Sequence, residues 1–173
     1  MLELAWLEAV MLAAVRMTAF IVIAPPFSYR AFPARVKAML AVGLALAVSP
    51  RVTADYVSLD DAAFFGALVQ EIITGALLGF LVYVIFSAVQ SAGSLIDMFG
   101  GFQMAQAYDP GSMVNGAQFS RLFHMSALAL MMSSGAHLLI LSGLTRSFTA
   151  LPIGGAIDLA SSAESIVLAV SEM

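Results

Sequence analysis

The chain has 173 residues, of which 61% are hydrophobic and 10% charged, with a net charge of −4 from 7 basic and 11 acidic side chains. Water-soluble domains carry about 25% charged residues, so this composition cannot cover a surface with polar groups, and the protein has to face lipid or apolar partner chains. The lack of any Lys/Arg cluster excludes a nucleic-acid binder, and the absence of Cys excludes disulfides, thiol catalysis and Cys-ligated metal sites.

Glu3 and Glu8 stand where a cleaved signal peptide would carry basic residues, so the first apolar segment is expected to stay in the mature protein. It runs from Ala9 to Phe27, 19 residues with Arg16 as the one charge, and Pro25-Pro26 ends it because proline lacks the amide N–H and clashes with the preceding turn. Arg30, Arg35 and Lys37 follow with no acidic residue, which places that connection on the cytoplasmic side and the N-terminus outside. Ala38 to Pro50 is uncharged but only 13 residues long, about 20 Å of helix against a hydrocarbon layer of ~30 Å. If it crosses, the connection holding Arg51, Asp55, Asp60 and Asp61 is external and the one from Asp97 to Arg121 is again cytoplasmic.

Ala62 to Ile96 contains one charge, Glu71, and its 25 residues from Ile72 to Ile96 have none, enough for a span with tilt to spare. Leu122 to Thr145 supplies another 24 residues without formal charge, holding His124 and His137, and is expected to be a second span. Beyond Pro152 and Gly154-Gly155, Ser161-x-x-Glu164 reads as a capping box. The helix it would start has too few residues before Met173 to cross a membrane, so a chain truncated at the C-terminus is expected. No internal repeat or low-complexity tract interrupts residues 1–173. The expectation is a single all-α domain, polytopic and membrane-associated.

Within these segments, Glu71, Gly75 and Gly79 fall four residues apart, so a carboxylate and two small residues share one helix face and admit a close neighbour. An unpaired charge in hydrocarbon costs several kcal/mol, so Arg16 and Glu71 either pair with each other or each meets another subunit. Gln90, Gly93, Ser94 and Asp97 form a polar, small strip where the long third helix ends, with small residues where a close subunit contact would need them; Gln90, Gly93 and Asp97, like His137, are expected in subunit packing or as buried polar groups, the simpler alternative for Asp97 being a helix end entering water. The connection from Phe99 to Gly116 is too long for a turn. Its Phe102, Met104, Tyr108 and Met113, set among glycines and Asp109-Pro110, predict an ordered but deformable plug or lid, with methionine suited to a seal that repacks. Ser133, Ser134 and His137 share one helix and so make a poor nucleophile–base pair, and two histidines 13 apart do not make a metal site. Hydrogen bonding between helices is the expected role of both. No motif suited to catalysis or to a cofactor appears, so an enzyme is not expected.

The order and spacing of several elements resemble the FliR-type subunit family of the flagellar type III export gate. They are Arg16, Ala24-Pro25-Pro26-Phe27, Pro33-Ala34-Arg35-Val36-Lys37, Gln70-Glu71 with Gly75 and Gly79, Gln90 through Asp97, Asp109-Pro110, His137-Leu138-Leu139, and Ser147-Phe148 ahead of Leu151-Pro152-Ile153-Gly154. The related virulence-secretion subunit shares the outline, but Ser147-Phe148 with Leu151-Pro152 looks more like the flagellar branch. The resemblance implies a helical subunit beside FliP-type and FliQ-type partners, with an FlhB-type subunit, forming a closed channel for unfolded export substrates in the bacterial inner membrane at the flagellar basal body. It also implies that a loop corresponding to residues 103–115 plugs the channel, with Gln103, Met104, Tyr108, Asp109, Pro110, Met113 and Asn115 in it. Two rival functions rest on residues alone: a small-molecule permease subunit, from Arg16, Glu71 and the glycine-interrupted helices, and, more remotely, an intramembrane hydrolase using His137.

Overall fold

A computed structural model describes residues 2–29, 32–54, 56–101 and 118–154. All regular structure among the described residues is helical: α1 (Leu2–Ile23), α2 (Ala34–Val52), α3 (Asp61–Phe99), α4 (Gln118–Ser133) and α5 (Ala136–Ala150). The element ends follow local chemistry. α1 stops just ahead of Pro25-Pro26, its register continued by the Ala24 amide donating to the Phe20 carbonyl at 2.8 Å. α2 begins directly after Pro33, whose carbonyl accepts from Val36 and Lys37, and it keeps Pro50 inside its last turn. It is therefore longer than the uncharged stretch from Ala38 to Pro50, because Arg35, Lys37 and Arg51 lie on helix ends where charge reaches solvent. The Asp60 side chain caps α3 by accepting from the Ala63 amide at 3.2 Å. At the far end Gly101 takes φ +75° after Gly100, a left-handed turn that stops the helix.

One expected span is broken. Leu122 to Thr145 is not one helix but two, α4 and α5, bent by 75° at a short break. The cause is Gly135, which adopts φ +74° and ψ 8° between the two, while Ser133 and Ser134 turn their hydroxyls back onto the carbonyls of Leu130 and Met131. Among the described residues, two helices are individually long and apolar enough to cross a membrane, in Leu4–Ile23 and Asp61–Phe99, and α4 with α5 qualifies as a third only if the bent pair counts as one broken span.

α1 and α3 run side by side in the same direction, since Arg16 lies over Gly75 and Phe20 over Gly79. α2 returns antiparallel against α1. α4 packs antiparallel on the C-terminal half of α3, with Phe119 and Ser120 at Gly93 and His124 at Phe86. The hydrophobic core joins Met17, Phe20 and Ile21 of α1, Ala41 and Ala45 of α2, and Leu144 and Phe148 of α5. α3 contributes a narrow buried stripe through Ala67, Glu71, Thr74, Gly75, Gly79, Phe86, Gly93 and Asp97. Beyond Leu78 and Val82, which pack partly against the core, much of its apolar circumference is exposed among the described residues, with Leu77 58% and Ile85 66% exposed.

Candidate functional site

Arg16 and Glu71 are both completely buried and form a two-pronged ion pair, the Nε donating to Glu71 Oε2 and Nη2 to Oε1 at 2.8 Å. Of the two alternatives left by the sequence, pairing within the chain is the one realised. The guanidinium is used further: Nη1 donates to Ser147 Oγ at 3.2 Å, Nη2 to the Leu151 carbonyl at 2.9 Å, and its carbon sits 4.2 Å from the centre of the Phe148 ring. One side chain on α1 thus gathers α3, α5 and the start of the segment after α5. Arginine suits this place because its planar fork matches a carboxylate and its face stacks on an aromatic ring.

Helix approach explains the glycines beside this hub. A Cβ on Gly75 would overlap the Arg16 carbonyl oxygen, and one on Gly79 would lie 3.0 Å from the Phe20 carbonyl oxygen. Backbone meets backbone across that seam, which leaves the Arg16 and Glu71 side chains short enough a gap to close.

At the other end of α3, Asp97 is also fully buried. It does not enter water, the simpler of the two sequence readings. Its two carboxylate oxygens accept the amides of Phe119 and Ser120, at 3.0 and 2.9 Å, satisfying free N–H groups at the start of α4 and placing negative charge at the positive end of that helix. A Cβ on Gly93, one turn earlier, would lie 2.7 Å from the Phe119 carbonyl oxygen, so the two devices act together. The roots of the α3–α4 connection are therefore fixed to each other.

Gln90, about two turns before Asp97 in the same strip, is exposed among the described residues. His124 does make a contact between elements: its Nε2 hydrogen-bonds the hydroxyl of Tyr29, in the α1–α2 connection, and its ring meets Phe86 edge-on. The Nδ1 atoms of His124 and His137 are both buried with no hydrogen-bond partner among the described residues. The plug residues Gln103, Met104, Tyr108, Asp109, Pro110, Met113 and Asn115 lie outside the described residues, as does the capping box at Ser161 and Glu164. No group of three or more potential metal ligands occurs among the described residues.

Near the opposite end of the helices, Glu8 accepts hydrogen bonds from Tyr56 Oη at 3.4 Å and Ser58 Oγ at 3.1 Å. Partial burial, followed by the negative charge of Glu8 and this hydrogen bond, pushes the Tyr56 hydroxyl up to about 12. Tyr29, Ser147 and the Leu151 carbonyl were not identifiable as site groups from residue type. A serine in the apolar α5 was the one available signal, and such serines commonly satisfy themselves on their own helix, as Ser147 also does with the Leu144 carbonyl.

The arrangement holds three apolar helices on a buried ion pair and fixes one loop at both roots, a construction for shape and packing. The family described as Bacterial export proteins, family 1, matches residues 7–173. The chain belongs to this family. Within it, the flagellar biosynthetic protein FliR of Escherichia coli strain K12 is 36% identical over 152 residues, covering 88% of this chain and 58% of that protein. FliR of Bacillus subtilis strain 168 is 31% identical over 140 residues, covering 81% and 54%. The Yop proteins translocation protein T of Yersinia pestis is 32% identical over 111 residues, covering 64% and 42%. The chain spans little more than half the length of the FliR relatives it matches. Arg16, Glu71, Gly75, Gly79, Gly93 and Asp97 all lie inside the region that matches this export-protein family.

Proposed function

We propose that the chain forms the larger part of a FliR-type subunit of a flagellar type III protein export gate, one that packs with other gate subunits around a closed channel for unfolded substrates. The observation that carries this is the length of α3. Phe65 and Phe99, 68% and 82% exposed, sit 34 residues apart on one helix, about 51 Å at the helical rise and well beyond a hydrocarbon layer of ~30 Å. Lipid cannot cover both ends of that apolar surface at once, so apolar protein surfaces have to cover part of it. FliP-type and FliQ-type subunits, with an FlhB-type subunit, are the partners that the family resemblance suggests, and the bacterial inner membrane at the flagellar basal body is the site. Residues 1–173 act in it as one helical domain with a structural rather than enzymatic part. The buried charges of Arg16 and Glu71 are consumed in an ion pair instead of facing a solute path, so nothing specific favours the permease.

Residues 103–115 serve as the plug in this proposal. Shortening that segment in the full-length protein is expected to leave the complex assembled while the membrane becomes leaky to ions or small solutes. An assembled complex with no added leak would remove the plug from the proposal, and a full-length protein that purifies in mild detergent without other small membrane proteins would remove the gate.

A further inference from the structure

The bend between α4 and α5 rests on few supports. A Cβ built on Gly135 meets nothing within 4 Å, so glycine is required there for its φ of +74° and not for room. The inner corner of the bend is open among the described residues. It forms an apolar groove of about 370 Å³ between Val82, Phe86 and Val89 of α3 and Leu130, Met131 and Ile140 of the bent pair. Just past the bend Leu138 and Leu139 are 61% and 75% exposed. Meanwhile the sequence across the break is apolar and uncharged from Leu122 to Thr145, as a continuous helix would be. What holds α5 out of line lies toward its far end, where Leu144 and Phe148 join the core and Ser147 Oγ, the Leu151 carbonyl and the Phe148 ring all engage Arg16.

We infer that Arg16 is a latch: it holds α5 bent away from the line of α4, and releasing its grip on α5 lets α4 and α5 straighten into one helix as Gly135 leaves the left-handed region. The Arg16–Glu71 pair stays intact in both states, since Glu71 is on α3 and does not move with α5. The latch does not depend on the proposed role in export, because it concerns contacts within this chain.

The test is a distance measured by pulsed electron paramagnetic resonance on the full-length protein in detergent. Residues 1–173 contain no Cys, so nitroxide labels at Leu122→Cys and Thr149→Cys are unique once any cysteine elsewhere is replaced by Ser. Their backbone separation is about 31 Å across a bend of 75° and about 40 Å along a straight helix at ~1.5 Å per residue. The unmodified hub is expected to give the shorter distance. Ser147→Ala with Phe148→Leu, which removes two of the grips and spares Arg16 and Glu71, is expected to move the main population by about 9 Å toward the longer one, and Gly135→Ala to do the same. Ser147→Thr, which keeps the hydroxyl, retains the short distance. Leu144→Ala, which loosens the packing of α5 without touching Arg16, also retains it. A single short distance in all variants overturns the straight state. An equal shift with Leu144→Ala overturns the latch, because packing alone would then set the bend.

Discussion

The α1–α3 seam and the α4–α5 break are built from the same apolar residues, yet they hold their geometry in opposite ways. In the seam, backbone lies against backbone at Gly75 and Gly79, and a buried ion pair closes the gap, so any change meets atoms that cannot give. At the break, a single glycine in open space sets the angle and contacts more than three turns away hold it. The first is specified by volume and charge, the second by one dihedral angle and a distant anchor. Charge and small residues inside apolar helices announce themselves in a sequence; a dihedral angle does so only weakly.

Six substitutions at five positions would sharpen that contrast. The largest effect is expected from Glu71→Leu, which leaves Arg16 buried and unpaired and should destabilise the fold by about 3–5 kcal/mol; Glu71→Gln, which still accepts a hydrogen bond, should cost clearly less. Thermal melting of the detergent-solubilised protein checks this, and equal melting of both variants would mean the carboxylate is not needed as a partner. Next, Gly75→Ala should cost about 1–3 kcal/mol because its methyl overlaps the Arg16 backbone. Gly66→Ala, on the same helix with nothing within 4 Å, should instead gain up to about 1 kcal/mol from helix propensity. If the two alanines behave alike by melting, the seam is not a close backbone contact.

Smaller again, Asp97→Ala should cost about 0.5–2 kcal/mol through loss of the α4 cap, seen as faster hydrogen exchange of the Phe119 and Ser120 amides with the exchange of α1 unchanged. The smallest effect concerns Tyr56. Its hydroxyl is raised from 10.0 to about 12, so the neutral form is favoured in the fold. The stability linked to it is complete below pH ~10 and lost as pH rises toward ~12. Tyr56→Phe should flatten the melting temperature across that window, and an unchanged alkaline decline would assign it to other groups.

Much of the seam was legible because Arg16 and Glu71 are the only charges in their spans and because small residues repeat every fourth position after Glu71. The choice between an internal and an external partner was not, since it depends on two helices running parallel with a whole helix between them. The partners of Asp97 were not legible for a related reason: a carboxylate at a helix end normally meets water, and the groups it meets are amides 22 and 23 residues away. At Ser133-Ser134-Gly135 the apolar count ran through the break, because an isolated glycine in a helical pattern costs only about 1 kcal/mol and so is no firm stop. Tyr29 and His124, 95 residues apart, share no pattern that a linear scan could connect.

The carboxylate of Asp97 has a consequence for how this chain tolerates change. Because it ties the end of α3 to the beginning of α4, those two helix ends stay put, like the mounts of a handle, whatever the length of the stretch joining them. Doubling the length of such a handle costs only about 0.6 kcal/mol in closure entropy, so evolution, or an experimenter inserting a small epitope, is free to lengthen it without prying the helices apart.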